Sequence, residues 1–155
     1  MDYKQFFSKI KGKRIAICGI SVSNTPLIEN FLKQGARVFA CDRRTREMIG
    51  PVAEKLEEQG AELRLGENYL KNLEVDIIFR TPGMNYYLPE LVKARENGIA
   101  VTSEMEVFFE VCPATIFAVT GSDGKTTTTT LIAKMLEAEG KKVHVGGNIG
   151  NPLLP

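Results

Sequence analysis

The stretch RIAICGISVSNTPLIENFLKQGARVFACD, residues 14–42, decides the fold class of this sequence. Two apolar runs rich in β-branched residues, 14–19 and 36–42, flank a helical pattern over residues 24–34, and Gly35 ends that pattern. A strand, a helix and a second strand in this order form a βαβ unit, in which the two strands run parallel.

The same alternation continues along the next seventy or so residues. Further strands are predicted at 61–65, 75–80 and 99–103. Helices are predicted at about 45–59, with a start that Gly50-Pro51 delays or kinks, and at 88–97. Met48, Val52 and Leu56 are expected to face the core from the first of these helices. This pattern predicts an α/β fold with a Rossmann-like, doubly wound parallel sheet of about five strands over residues 1–113.

A second α/β unit is predicted to begin at residue 114 and to continue to residue 155. Its expected elements are a strand at 115–121, a glycine loop, a helix with an apolar face, and a short strand at 141–145. This order is that of the start of a P-loop ATPase α/β domain. Three elements cannot cover a sheet on both faces, so this unit is expected to be the less stable one.

Composition and charge limit the function classes. The 155 residues are 43% hydrophobic and 25% charged, which is typical of a globular protein, and the net charge of +1 does not favour nucleic acid or an anionic membrane as partner. No stretch approaches the roughly 20 apolar residues of a membrane span, so a cytoplasmic location is expected. Cys18, Cys41 and Cys112 are well separated and are expected to be reduced thiols. The single histidine, His144, excludes a histidine cluster or a histidine-based triad within this chain.

A glycine loop at residues 121–127 has the features of a phosphate-binding loop, although Val119 stands where the usual pattern has its first glycine. Glycines let consecutive backbone N–H groups turn toward a phosphate at the start of a helix. Lys125 is placed to reach the terminal phosphates, and the Thr126 hydroxyl is placed to bind Mg²⁺. The alternative is a glycine turn capped by Ser122 or Asp123, with Lys125 and the threonines forming only a polar first helical turn. The predicted ATP contacts are Gly121, Ser122, Asp123, Gly124, Lys125, Thr126 and Thr127.

Four segments together resemble the Mur ligases, and in particular the members of that family that add D-glutamate. They are TGSDGKTTTTTLI (120–132), GGNIGNPLL (146–154), RTPGM (80–84) and SEMEVFFEVCP (103–113). The resemblance implies a ligase of peptidoglycan precursor synthesis that uses ATP and Mg²⁺, with Lys125 and Thr126 as catalytic residues. It implies UDP-N-acetylmuramoyl-L-alanine, activated as an acyl phosphate, and D-glutamate as substrates.

The resemblance covers essentially all of this chain but only about the front third of such an enzyme. A second Mg²⁺ carboxylate, the modified lysine of the family and the D-glutamate site are implied to lie beyond Pro155. We therefore expect this chain to bind ligands without ligating them.

The first loop argues against a dinucleotide site. In CGISVSNTP, residues 18–26, only Gly19 matches the three-glycine fingerprint, because Ser21 and Asn24 occupy the other two glycine positions. A side chain at position 21 obstructs the close approach of a pyrophosphate to the backbone, so NAD is not expected to bind.

The resemblance implies instead a site for the UDP-linked substrate. Asp42 and Arg43, at the end of the second strand, are implied to hold the uridine end with Val22 and Ser23, while Arg44 lies over the base or near a phosphate. The Gly83 N–H is implied to contact the diphosphate, and Asn148 the diphosphate or the muramoyl part. The alternatives are a solvated turn of charges at 42–44, a plain Pro-Gly turn at 82–83, and a left-handed turn at Asn148.

Two further interpretations have alternatives. Glu104 and Glu106 resemble a carboxylate pair, but the pattern Ser103-x-x-Glu106 favours a capping box at a helix start. The resemblance implies a ligase that adds D-glutamate, and the alternatives are a stand-alone UDP-sugar- or nucleotide-binding module without ligase activity and another ligase of the Mur or folylpolyglutamate type.

Overall fold

The computed structural model describes residues 2–21, 24–147 and 153–154. Its centre is a five-stranded sheet in which every pairing is parallel, with the order β3-β2-β1-β4-β5. The strands are β1 (Arg14–Cys18), β2 (Arg37–Asp42), β3 (Glu62–Leu65), β4 (Ile77–Phe79) and β5 (Ala100–Thr102). The predicted doubly wound sheet and its five strands are confirmed.

Seven helices are described. They are α1 (Tyr3–Ile10), α2 (Asn24–Lys33), α3 (Arg46–Ile49), α4 (Pro51–Glu58), α5 (Pro89–Glu96), α6 (Glu104–Val111) and α7 (Lys125–Ala138). Six of them precede residue 113 and accompany the sheet, whereas α7 follows the glycine loop.

Alternating side chains of the central strands fill two cores, one on each face of the sheet. On one face, Ile15 and Ile17 of β1 pack with α1, α2, α4 and α6, where Phe31 contacts Phe79 edge-on at 5.0 Å between ring centroids. On the other face, Ala16 and Cys18 pack with α5. A parallel sheet buries both faces because its crossover helices cover them, which explains the apolar runs of β1 and β2.

The helix predicted over 45–59 is two helices, because Gly50 adopts a left-handed φ of 69° between α3 and α4. This break changes which side chains face the core. Met48 is 68% exposed and Val52 is also exposed, whereas Ala53 and Leu56 are fully buried. The prediction that Met48 and Val52 face inward was therefore wrong, and that for Leu56 was right.

The second unit lacks the two strands that the sequence predicts. Residues 115–121 and 141–145 form no strand, and the part of the chain that the structure describes contains no neighbouring strand with which they pair. Helix α7 is formed as predicted, but its apolar face is largely uncovered, with Met135 66% exposed. A parallel strand needs a partner for its backbone groups, so the local β pattern alone does not produce one.

The carboxyl ends of β1 and β4 meet at the point where the strand order reverses. Gly19, directly after β1, has φ of 92°, and a Cβ placed on it would lie 2.5 Å from Cγ2 of Thr81, which follows β4. Only glycine permits both this backbone conformation and this close approach. The two loops are therefore packed directly against each other.

We predict that Gly19→Ala lowers the free energy of unfolding by about 2 to 4 kcal/mol, from backbone strain together with overpacking against Thr81. Gly60→Ala is the matched control, because Gly60 has φ of 98° and open space around its Cα. It should lose only the strain, about 1 to 2 kcal/mol. Urea unfolding followed by circular dichroism measures both, and equal losses would contradict the close packing of the two loops.

Candidate functional site

Asp42 lies at the end of β2 and organises the edge of the sheet. Its side chain is nearly buried, at 7% exposure of the residue. Oδ2 accepts from Ile20 N at 2.7 Å and from Arg44 Nη2 at 2.8 Å, and Oδ1 accepts from Arg44 N at 2.9 Å and Arg44 Nε at 3.1 Å. Arg44 Nη2 also donates to Ile20 O. One carboxylate thereby joins the loop after β1 to the turn after β2.

The electrostatics of Asp42 follow from these contacts. Burial raises the pKa of the Asp42 carboxyl, but the hydrogen bonds from Arg44 and from Ile20 N outweigh it, so the pKa lies below its ordinary value of 3.8. Asp42 is thus ionised at neutral pH. Because a carboxylate has about four acceptor positions and all four contacts come from the chain itself, its main role in this structure is to shape the loops.

Asn24 completes the first loop. Its side-chain amide donates to Cys18 O at 3.1 Å and to Gly19 O at 2.8 Å, and its backbone N–H donates to Ser21 Oγ at 3.3 Å. The two bonds from the side-chain amide satisfy the carbonyls at the end of β1. The bond from the backbone N–H lies at the first residue of α2. Asn24 and Ser21 therefore have structural roles at positions where a dinucleotide site has glycines.

The loop after β4 presents Gly83 to solvent at the same edge. Residues 81–84 form a turn in which Met84 N donates to Thr81 O at 3.1 Å. Gly83 is exposed, and a Cβ on it would meet nothing within 4 Å. Within the described residues its N–H has no partner in the chain, so it can donate to a ligand.

A cavity of about 560 Å³ lies at this edge and brings three of the predicted substrate residues together: Asp42, Arg43 and Gly83. Gly19 and Thr81 also line it, and Arg44 lies beside it through its bonds to Asp42. This volume is within the range of sites for small ligands, and the crevice outside the carboxyl ends of the strands is where open α/β sheets bind them.

One wall of this cavity, residues 67–71, includes Tyr69 and Lys71 and was not predicted from the sequence. The available signal was the end of β3 at Leu65-Gly66, since the loop after any parallel strand emerges at the same edge. A second cavity of about 380 Å³ lies nearby, between residues 70–74 and α5, and shares Leu70, Lys71 and Glu90 with the first.

The glycine loop before α7 is separate, and none of its residues lines the edge cavity. Gly121 and Gly124 both have positive φ, of 153° and 73°, and no side chain caps α7. Lys125 Nζ donates to Gly121 O at 2.6 Å and to Ser122 O at 2.9 Å, so the lysine lies over the loop. The cap by Ser122 or Asp123 that the alternative interpretation requires is not formed.

This loop fits a nucleotide phosphate with Mg²⁺. The first turn of a 14-residue helix offers N–H groups without a side-chain cap, and Lys125 lies beside them. Thr126 and Thr127 are exposed at the same end, so a hydroxyl oxygen is available to a hard cation. Among the described residues no group of three or more acidic, histidine or cysteine side chains is placed to hold a metal, so Thr126 would be only one ligand of such an ion.

Three predicted contacts, Val22, Ser23 and Asn148, lie outside the residues that the structure describes. They remain predictions, as do the ligand roles of the other site residues.

Comparison with known proteins gives the family. The profile of the Mur ligase middle domain matches residues 119–153, the segment with the glycine loop. The chain is 53% identical over 153 residues to the UDP-N-acetylmuramoylalanine–D-glutamate ligase of Clostridium botulinum strain Hall, and 53% identical over 152 residues to that of Clostridium novyi. These alignments cover 98% and 97% of this chain and 33% of each relative. Over nearly its whole length, the chain is therefore similar to the N-terminal third of Mur ligases.

Solved Mur ligase structures support the fold. A murein peptide ligase from Psychrobacter arcticus aligns with a TM-score of 0.52 and 24% identity, over 83% of this chain and 27% of that one. A UDP-N-acetylmuramate-alanine ligase from Thermotoga maritima aligns with a TM-score of 0.51 and 24% identity, over 83% and 30%.

The chain spans about a third of the length of the ligases it matches by sequence, and it corresponds to their N-terminal third. Among the helices that the structure describes, none combines the length and apolar character needed to cross a bilayer.

Proposed function

We propose that the chain is the substrate-binding front part of an ATP-dependent ligase that adds D-glutamate to UDP-N-acetylmuramoyl-L-alanine in peptidoglycan precursor synthesis. The observation that carries the proposal is the 53% identity to ligases of that name across 98% of the chain. The open edge cavity supports it, because it gives a UDP-linked substrate a place to bind.

In this proposal the uridine end binds near Arg43 and the first loop, and the diphosphate binds at the Gly83 N–H. Arg43 is exposed and lines the cavity, and within the described part of the chain its guanidinium forms no hydrogen bond or ion pair, so it is available to a ligand. Asp42 acts on the ligand mainly by fixing Ile20 and Arg44. Val22, Ser23 and Asn148 are proposed to add contacts to the same substrate.

ATP with Mg²⁺ would supply the phosphoryl group: its transfer to the substrate carboxylate would release ADP and give an acyl phosphate, and attack by the D-glutamate amine would then release phosphate. Residues 121–127 are proposed to hold the nucleotide through backbone N–H groups. Lys125 leaves its two carbonyl partners and stabilises negative charge on the phosphates, and Thr126 contributes a hydroxyl to Mg²⁺.

Ligation is proposed for the longer protein of which the relatives are examples, with the D-glutamate site in a part outside this chain. We propose that the protein works in the cytoplasm, since Cys18 and Cys41 are free thiols in neighbouring strands and both proposed nucleotides are cytoplasmic metabolites.

Binding of UDP-N-acetylmuramoyl-L-alanine to this chain tests the proposed substrate site. Arg43→Ala should weaken binding by roughly ten- to a hundredfold, through loss of a charge-assisted contact. Lys9→Ala, which removes an exposed charge from α1, is the control and should leave the affinity unchanged. Calorimetry measures both variants, with NAD as a ligand that should not bind. Equal affinity of the Arg43→Ala and unaltered chains, or binding of NAD in preference, would contradict the proposed site.

Titration with MgATP, followed by the amide chemical shifts of residues 121–127, tests the proposed nucleotide site. Lys125→Ala should weaken MgATP by roughly ten- to a hundredfold, whereas Lys134→Ala on the exposed surface of α7 should not. The stability of the unliganded chain should fall by about 1 kcal/mol or less, because Lys125 gives up only hydrogen bonds to exposed loop carbonyls. Unchanged MgATP affinity in Lys125→Ala would remove this lysine from the site.

A further inference from the structure

The first turn of α6 carries two carboxylates, those of Glu104 and Glu106. The Glu106 carboxylate binds Arg80, at the start of the loop after β4. Glu106 Oε1 accepts from Arg80 Nη2 at 2.8 Å, and Glu106 Oε2 accepts from the Thr102 hydroxyl at 3.1 Å. Arg80 directly precedes the turn at residues 81–84 that presents Gly83, and its side chain is largely buried. Glu106 thereby ties the proposed diphosphate turn to α6.

The second carboxylate binds a segment far along the chain. Glu104 Oε1 accepts from Leu153 N at 2.9 Å and from Leu154 N at 3.2 Å. The Leu154 side chain is 2% exposed and belongs to the same core cluster as Val107 and Val111 of α6. Residues 153–154, which end the GGNIGNPLL motif, are therefore fixed on α6 by two backbone hydrogen bonds and a buried side chain.

Capping alone does not explain this arrangement. Ser103 Oγ does accept from Glu106 N at 3.3 Å, which is one half of the predicted capping box. The other half is absent, because the Glu106 carboxylate turns to Arg80 and Thr102 instead of the Ser103 N–H. Glu104 has no part in the cap at all and bonds residues 49 and 50 positions away.

We propose that Glu104 and Glu106 form a positioning clasp that holds the loop after β4 and residues 153–154 at one place on α6. The inference rests on the proposed function and deepens it, because the clasp joins the Gly83 turn to the end of the motif that contains Asn148. In this proposal both segments bind the same part of the substrate, which is the diphosphate and the sugar next to it. Glu104 and Glu106 touch neither substrate nor nucleotide and act through the segments that they hold.

The clasp predicts a specific loss in Glu104→Ala. Two backbone amides lose a charged acceptor in a half-buried place, so their hydrogen exchange should accelerate by roughly ten- to a hundredfold. The amides of β1 and β2 should keep their rates. Glu104→Gln retains one side-chain oxygen and should largely restore protection, and Glu110→Ala, exposed on the same helix, is the control. Unchanged exchange at Leu153 and Leu154 in Glu104→Ala overturns the clasp.

Ligand binding tests the positioning role by a separate measurement. Glu104→Ala should weaken UDP-N-acetylmuramoyl-L-alanine about five- to tenfold and leave uridine monophosphate unchanged, because the monophosphate occupies only the uridine end. Glu104→Gln should recover the affinity. Equal weakening of both ligands, or of neither, overturns the positioning role. Failure of the unaltered chain to bind either ligand overturns the proposed function and the positioning role with it, while hydrogen exchange still decides whether the clasp exists.

Discussion

The ionised, nearly buried carboxylate of Asp42 is the contact on which the proposed site depends most. It accepts from Ile20 N in the loop after β1 and from three nitrogens of Arg44 in the turn after β2. A buried charge is stable only when it is paired and hydrogen-bonded, so the two loops are held as long as Asp42 remains ionised. The parallel register of Cys18 beside Cys41 sets the distance that the carboxylate spans.

The position of the loop after β4 depends on a steric constraint instead of a charge. Gly19 lies so close to Thr81 that the loops after β1 and β4 pack without a side chain between them. The same residue is the only glycine kept from the dinucleotide fingerprint, while Asn24 uses its amide to satisfy the carbonyls at the end of β1. Ser21 and Asn24 thus place side chains at two positions where a dinucleotide site has glycines that let a pyrophosphate approach the backbone.

Local patterns were enough to predict the sheet. The local signals were the apolar runs of β1 and β2 and the glycines after the helices. They predicted the five strands and the α/β fold class correctly. The strands at 115–121 and 141–145 were predicted wrongly, because a strand also needs a partner, which lies outside any local window. The orientation of Met48 was wrong because Gly50 rotates α4 relative to α3.

The site was predicted in part. Asp42, Arg43 and Gly83 line one cavity, as predicted. The sequence did not indicate that the carboxylate oxygens of Asp42 accept hydrogen bonds from Arg44 and Ile20, since these bonds depend on the position of two loops. Glu104 was interpreted through its local helix, whereas its partners are about fifty residues away. Contacts of high sequence separation leave no periodic signal, so only the folded chain reveals them.

We propose that the UDP-linked substrate binds at the crevice between β1, β2 and β4. The most direct measurement is amide chemical-shift mapping of the chain during titration with UDP-N-acetylmuramoyl-L-alanine. We expect the largest shifts at Gly19, Arg43, Thr81 and Gly83, which line the larger cavity. Shifts confined to Leu73, Ala94 and Asn97, around the smaller cavity beside α5, would contradict it.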